Sequence, residues 1–458
     1  MKWVSSRGAS PAVPFIDALF AGTAPDGGLY MPERLDPLPP DKLDAIRAAT
    51  GDIVQISSIV GAHLLRDEIS TADLNALVRD ALDFPIPLVQ VADGVWALEL
   101  FHGPTMAFKD VGARVQARLL HHFTDGTPLT ILVATSGDTG SAVAQAFHGV
   151  PDTRVVVLYP EGKVSDVQEA QMASLGGNIT AVAVHGTFDD CQRLVKEAFA
   201  DDDLRTHVWL TPANSINLGR LLPQVFYYFV LASVGPASGF ARRASSDTDA
   251  GSQGLTVSVP SGNFGNLTAG LIAKRIGLPV WRFVAATNAN DVVPQYLASG
   301  TYKPRASVKT VANAMDVGAP SNFERMRAMY GDNFEALRCD IVGAAFDDAT
   351  VVAEIGNVYR RHGYLLDPHG AIAWLGLQQT LSGDEAPARG VFLATAHPAK
   401  FREVVEPAIG EPIPLPSVLA EAITRPRHSE RLPVDYAALK SLLLSQQVEK
   451  LKSGNIPT

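Results

Sequence analysis

From residue 129 onwards, short apolar runs alternate with stretches whose apolar positions recur at helical spacing. Leu129 to Ala134 is an unbroken apolar run between Pro128 and a glycine-rich turn, the pattern of a buried strand. Ser141 to His148 then reads as a helix that Gly149 stops. The alternation continues with a strand at Arg154 to Leu158, a helix at Gln168 to Leu175, a strand at Ala181 to Val184 and a helix at Phe188 to Ala200. It resumes with a strand at Leu255 to Val259, a helix at Leu267 to Ile276, a strand at Val280 to Ala285 and a late strand at Val391 to Thr395. Strands that are apolar on both faces and separated by helices predict an α/β fold with mostly parallel sheets.

Other regions break this rhythm. Residues 1 to 95 are rich in turns, such as Ala24-Pro25-Asp26-Gly27-Gly28 and Pro37 to Pro40, with helical patterns at Asp41 to Ala49 and Thr71 to Leu82. Leu221 to Val234 is the most hydrophobic stretch, yet Pro223 and Gln224 interrupt it and it is too short to span a bilayer, so it reads as a buried helix. Gly239 to Gly254 is small and polar and predicts a surface loop, with an insertion over 241–254. The tail is helical in pattern around Tyr436 to Lys450. These changes predict an N-terminal extension domain over 1–95, a smaller α/β domain over 96–215, a large α/β domain over 216–424 and a helical tail over 425–458.

Bulk properties narrow the function classes. The 458 residues are 47% hydrophobic and 19% charged, as in a folded globular protein. A net charge of -10 offers no basic footprint for nucleic acid or an anionic membrane. The two cysteines, Cys191 and Cys339, have no metal-ligand spacing, and no metal is expected; they suit a reducing compartment. Met1 to Phe15 lacks the apolar core of a signal peptide, so a cytoplasmic protein is expected.

The run Phe101-His102-Gly103-Pro104-Thr105-Met106-Ala107-Phe108-Lys109-Asp110 carries the strongest chemical signal. Thr105 reads as an N-cap, after which Phe108, Val111, Val115 and Leu119 recur at helical spacing. Lys109 then lies in the first turns of an amphipathic helix, beside its apolar stripe. Withdrawal from water favours the neutral amine, the form that condenses with an aldehyde cofactor.

Two strand–turn–helix junctions follow: Thr135-Ser136-Gly137-Asp138-Thr139-Gly140 and Pro260-Ser261-Gly262-Asn263-Phe264-Gly265-Asn266. Bare N–H groups at a helix start attract anions, and glycine allows a phosphate to approach. Neither matches the P-loop or dinucleotide spacing. Ala213-Asn214-Ser215-Ile216-Asn217-Leu218-Gly219-Arg220 adds amide, hydroxyl and guanidinium groups suited to phosphate or carboxylate, or to a helix cap with a surface arginine.

With Thr395-Ala396-His397-Pro398-Ala399-Lys400-Phe401, these strings resemble the threonine synthase family of pyridoxal-5′-phosphate enzymes. Ala24 to Tyr30 and Asn313-Ala314-Met315-Asp316-Val317 fit its longer branch, which carries an N-terminal extension. The likeness runs from about residue 15 to residue 405 and beyond. It implies a fold-type II architecture like that of the tryptophan synthase β subunit, with the cofactor in a cleft between α/β domains. It implies that Lys109 holds the cofactor and acts as the base. Gly262, Asn263, Phe264, Gly265 and Asn266 would cradle the cofactor phosphate, Asp138 would approach the ring's 3′-oxygen, and Thr395 would face the pyridine nitrogen. Ser136, Thr139, Asn214, Ser215 and Arg220 would hold the substrate's carboxylate and phosphate.

The implied reaction converts O-phospho-L-homoserine and water to L-threonine and phosphate, in a monomer or homodimer. Met106 stands where the family has leucine, and Asn266 where it has aspartate. A serine/threonine dehydratase, a sulfhydrylase or a phospho-lyase of the same fold is the nearest alternative, and a non-catalytic cofactor-binding relative the remaining one. The two anion loops with Arg220 favour a phosphorylated substrate, and an intact Lys109 favours catalysis.

Overall fold

The computed structural model describes residues 1–135, 137–234, 254–383 and 389–453, with side chains to residue 445. Ser136 and residues 235–253, which take in nearly all of the expected polar insertion, lie outside the described residues. Thirteen strands occur among the described residues: β1 (Trp3–Ser5), β2 (Tyr30–Pro32), β3 (Leu88–Ala92), β4 (Val95–Glu99), β5 (Leu129–Ala134), β6 (Thr153–Pro160) and β7 (Ile179–Val184). The rest are β8 (Leu210–Pro212), β9 (Leu255–Pro260), β10 (Val280–Thr287), β11 (Ile341–Ala345), β12 (Gly390–Ala394) and β13 (Ser429–Leu432).

The chain forms two compact units, each discontinuous in sequence: residues 1–116 with 215–416, and residues 117–214 with 417–458. The consecutive boundaries expected at 96–215 and 425–458 are therefore redrawn. Pairing explains why. Strand β4 is hydrogen-bonded to β12, some 290 residues on, so the stretch after residue 95 belongs to the large sheet. Strand β13 pairs with β7, and the tail helix Tyr436–Ser453 buries Leu439 and Leu443 against Leu132, Val156, Val182 and Leu194, so the tail belongs to the smaller core.

In the larger unit the sheet order is β11-β10-β9-β12-β4-β3. All pairings are parallel except β3 with β4. Those two form a hairpin across Asp93-Gly94, with Gly94 at φ 70°, a two-residue turn that favours such a pair. The helix Pro368–Leu381 packs on β9, β10 and β12, which bury Val257, Val259, Val391, Phe392 and Leu393.

The N-terminal region of this unit pairs β1 with β2 and seats the fully buried Trp3 against Phe15, with ring centroids 5.3 Å apart. Its helices are Phe15–Ala21, Pro40–Ala48, Ile53–Leu64 and Thr71–Ala81. Ile53–Leu64 is absent from the periodicity reading, although Asp52 caps it by accepting from Val54 and Gln55. The single helix expected over Leu221 to Val234 is instead three buried turns, Leu218–Leu221, Gln224–Tyr228 and Val230–Ser233. Pro223 has no N–H to continue a ladder, which ends the first of them.

The smaller unit has the order β13-β7-β6-β5-β8, parallel throughout. Strand β5 and the helix Phe188–Ala200 match the sequence pattern residue for residue. Both are bounded by residues that stop an element, and both bury an apolar face.

Candidate active site

Three neighbouring strands of the larger sheet end on one edge. Strands β4, β12 and β9 run parallel, with Val391 opposite both Trp96 and Val257. Their carboxyl ends release Leu100 to Lys109, Thr395 to Lys400 and Ser261 to Gly265 side by side, the edge where ligands of open α/β sheets bind.

The segments that carry Lys109 and Thr395 are joined by main-chain bonds. Phe108 N donates to Thr395 O at 2.8 Å, His397 N donates to Met106 O at 3.0 Å, and Ala107 forms an antiparallel bridge with Ala396. This short ladder holds residues 106–108 out of helical conformation, and the helix starts at Lys109, running to Phe123. Thr105 is therefore not the N-cap that its sequence position suggests. Its N–H and hydroxyl instead donate to the Asp110 carboxylate at 2.9 and 2.5 Å. Lys109 is half-buried, its Nζ 5.9 Å from the centroid of the Phe108 ring.

After β9 the chain turns through Ser261-Gly262-Asn263-Phe264 into the helix Gly265–Arg275, with Phe264 left-handed at φ 63°. Among the described residues, no protein acceptor takes the N–H groups of Gly262, Asn263, Phe264 or Gly265. A Cβ on Gly262 would lie 2.7 Å from Met315 Cα and 2.8 Å from Ala314 O, so the Asn313–Met315 turn closes one side of this loop and demands glycine. Asn266 is buried below it, its Oδ1 accepting from the Tyr227 and Tyr228 hydroxyls at 2.7 Å each while Nδ2 has no partner among the described residues.

The Asn263 side chain spans two loops. Its Nδ2 donates to Ser215 Oγ at 2.6 Å and its Oδ1 accepts from Ser321 N at 2.6 Å. Ser215 and Ile216 are held further by residues that sequence reading did not single out. Asn322 Nδ2 donates to Ser215 O at 3.1 Å, and the buried Arg325 donates to Ile216 O, to Asn322 Oδ1 and to Tyr30 O in the N-terminal region. No local pattern marks this brace, since Asn322 and Arg325 lie about a hundred residues or more from Ser215, Ile216 and Tyr30.

Arg220 is 3% exposed, in the turn Leu218–Leu221. A Cβ on Gly112 would meet Arg220 O at 2.7 Å and its Nε at 3.3 Å, so the guanidinium lies against the helix that Lys109 begins. Burial pushes its pKa down to about 10, and the nearby Asp110 opposes that shift. At neutral pH it remains a cation.

In the smaller unit, parallel β5 and β8 place the Thr135 to Gly140 turn and Ala213-Asn214 at one end of the sheet. Thr135 Oγ1 accepts from Gly137 N at 2.9 Å and Gly140 N at 2.8 Å and donates to Gly137 O. Asp138, 5% exposed, accepts from Gln168 Nε2 at 3.0 Å. Gln168 also belongs to a capping box with Ser165, and that Ser-x-x-Gln spacing is the signal that could have found it. Thr139 and Asn214 are half-buried.

A phosphorylated aldehyde cofactor requires an amine, a seat for a dianion and a polar partner for its ring nitrogen. The larger unit offers Lys109, the unspent amides of Gly262 to Gly265 at a helix start, and Thr395. These residues fit pyridoxal phosphate.

Comparisons with known proteins agree with that fit. The family described as "Pyridoxal-phosphate dependent enzyme" matches residues 82–395, "Threonine synthase N terminus" matches residues 2–82, and "Threonine synthase, C-terminal" matches residues 371–443. Threonine synthase of Escherichia coli is 43% identical over 447 residues, covering 98% of this chain and all of that protein. The Haemophilus influenzae enzyme is 44% identical, covering 94% of this chain and 97% of its own. The Escherichia coli crystal structure superposes with a TM-score of 0.87, over 98% of this chain and 100% of that one. A structure of pyridoxal-phosphate-bound threonine synthase from Brucella melitensis also gives 0.87, at 37% identity, over 97% of this chain and 99% of that one.

Proposed function

This chain belongs to the threonine synthase family of pyridoxal-phosphate enzymes, and we propose that it converts O-phospho-L-homoserine and water to L-threonine and inorganic phosphate. The main-chain ladder between residues 106–108 and 395–397 carries the reading, because it fixes Lys109 and Thr395 beside a loop of unspent amides.

Bound pyridoxal phosphate supplies the electron sink. Lys109 would hold the cofactor, and its amine would serve as the base at the α-carbon. The amides of Gly262, Asn263, Phe264 and Gly265 hold the cofactor phosphate, with Asn266 supporting the helix start. Thr395 would offer a neutral hydroxyl to the ring nitrogen, and Asp138 would offer a carboxylate to the 3′-oxygen. Ser136, Thr139, Asn214, Ser215 and Arg220 bind the substrate's carboxylate and phosphate. Arg220 supplies the charge for the leaving group, and Asn263 ties Ser215 to the cofactor loop. Over the whole reaction the substrate loses a proton from Cβ and phosphate from Cγ. A proton is delivered to Cγ, the hydroxyl of water adds at Cβ, and the proton that Lys109 takes from Cα is returned there.

The purified protein, given O-phosphohomoserine, should release threonine and phosphate in equal amounts. Phosphate with α-ketobutyrate and no threonine would replace this reading with the phospho-lyase one. Arg220→Ala should lower kcat/KM for O-phosphohomoserine by about 2–5 kcal/mol in transition-state stabilisation, the usual penalty for removing a buried charged partner. Slow deamination of serine and cofactor absorbance should persist in that variant. If they vanish together, Arg220 supports the fold or the cofactor rather than the leaving group.

A further inference from the structure

Lys400 is a second lysine at this edge of the sheet, and the proposed chemistry leaves it without a task. It is 1% exposed, on the short 3-10 helix Pro398–Phe401 that follows Thr395. Its Nζ donates to Thr105 O at 2.9 Å. The same Thr105 donates both its N–H and its hydroxyl to Asp110, and the Lys400 ammonium also acts on that carboxylate. Asp110 is itself 1% exposed and packed so closely on residue 103 that a Cβ there would lie 2.5 Å from its Oδ2, which is why Gly103 precedes the turn.

Lysine and aspartate are rarely buried so fully unless something pairs them, because each loses its hydration. Here the two charges close around a single residue, at the start of the segment that ends in Lys109. Met106 inside that segment is left-handed, with φ 55°, a conformation that a non-glycine residue keeps only when its surroundings enforce it. His397 N bonds Met106 O from one side, and the Lys400–Thr105–Asp110 clasp holds the residue before it.

We infer that Lys400 and Asp110 are positioning residues of the proposed reaction: their clasp on Thr105 sets the place of Lys109 relative to Thr395. The inference rests on Lys109 being the amine that reacts. Arg114 and Arg220, on the side of the Lys109 helix, act electrostatically on Asp110, and Lys400 acts on His397, whose burial holds its pKa below the usual value. On this reading Lys400 acts through the turn, by its bond to Thr105 O.

Lys400→Met keeps an unbranched side chain as long as the lysine's four-carbon stem while removing the donor and the charge. The clasp predicts a fall in kcat of about tenfold to a hundredfold, the range for slight misplacement of a reacting group. KM for O-phosphohomoserine should stay within about threefold, since ground-state binding is untouched. Hydrogen exchange should quicken about tenfold at the amides of residues 104–110 in the purified protein, with residues 255–260 unchanged. Lys400→Gln, which retains a donor for Thr105 O, should recover part of both effects. Asp110→Asn should cost less in the Lys400→Met background than alone, the mark of a coupled pair. Unchanged kcat with unchanged exchange would overturn the inference, as would an equal rise in exchange in both segments or strictly additive variants. If Lys400→Met behaves as predicted but threonine is not the product, the clasp survives and the proposed reaction fails.

Discussion

The two glycine-rich junctions read alike in sequence, each a buried strand running through small residues into a helix, but they dispose of their amides differently. In the turn after β5, the Thr135 hydroxyl gathers Gly137 N and Gly140 N and returns its proton to Gly137 O. In the turn after β9, the amides of Gly262, Asn263, Phe264 and Gly265 have no protein acceptor among the described residues. Ser261, the hydroxyl at the matching place, donates instead to Val259 O. One turn has spent much of its hydrogen-bonding capacity on itself, and the other has kept it for a guest. The first can still contribute through side chains, since Asp138 opens its helix, but its glycine amides are committed. An anion site is thus defined by which donors remain unsatisfied rather than by glycine content.

The largest expected effect breaks the open turn. Gly262→Ala drives a Cβ into main-chain atoms of Ala314 and Met315, which cannot rotate aside. Cofactor affinity should fall about a hundredfold, equivalent to about 3 kcal/mol, the upper range for overpacking a tight site. Titrating the apoprotein with pyridoxal phosphate measures it. A Kd like the wild type's would mean that this loop is not the seat.

Thr135→Val tests the closed turn. The isosteric valine strands two buried N–H groups, so urea denaturation should report a loss of about 1–3 kcal/mol. Cofactor affinity should fall by much less than in Gly262→Ala. The reverse order of the two affinities would exchange the roles given to the two turns.

Asn266→Asp should change least. The Tyr227 and Tyr228 hydroxyls can donate to a carboxylate as they do to the present Oδ1, and the replaced Nδ2 has no partner to lose. The buried carboxylate loses its hydration, which those two bonds offset in part, so stability should fall by about 1 kcal/mol. A loss several times larger would show that the amide is required beneath the open turn.

The sequence was informative where chemistry is local. The strands β5 and β7 and the helix Phe188–Ala200 announce themselves through apolar runs with clear stops. The structure puts Lys109 at a helix start and Thr395 at a strand end, as the sequence suggested, and their adjacency follows from β4 pairing with β12. Thr105 has the local look of an N-cap, but its role is decided by Asp110 and by a partner segment almost 300 residues away. Strand β13 shows only Leu432 as a buried residue, so its place beside β7 was invisible to periodicity, and the domain boundaries moved with it. Arg325 reaches the Ser215 loop and Tyr30 from a helix that shares no motif with either.

The most direct test of the central claim asks which lysine carries the cofactor. Lys109 and Lys400 approach the same turn from opposite ends, and both are withdrawn from solvent to some degree. Borohydride reduction of the purified protein, followed by peptide mass mapping, should place one pyridoxyl label per chain on Lys109. A label on Lys400, or on any other lysine, would contradict the account.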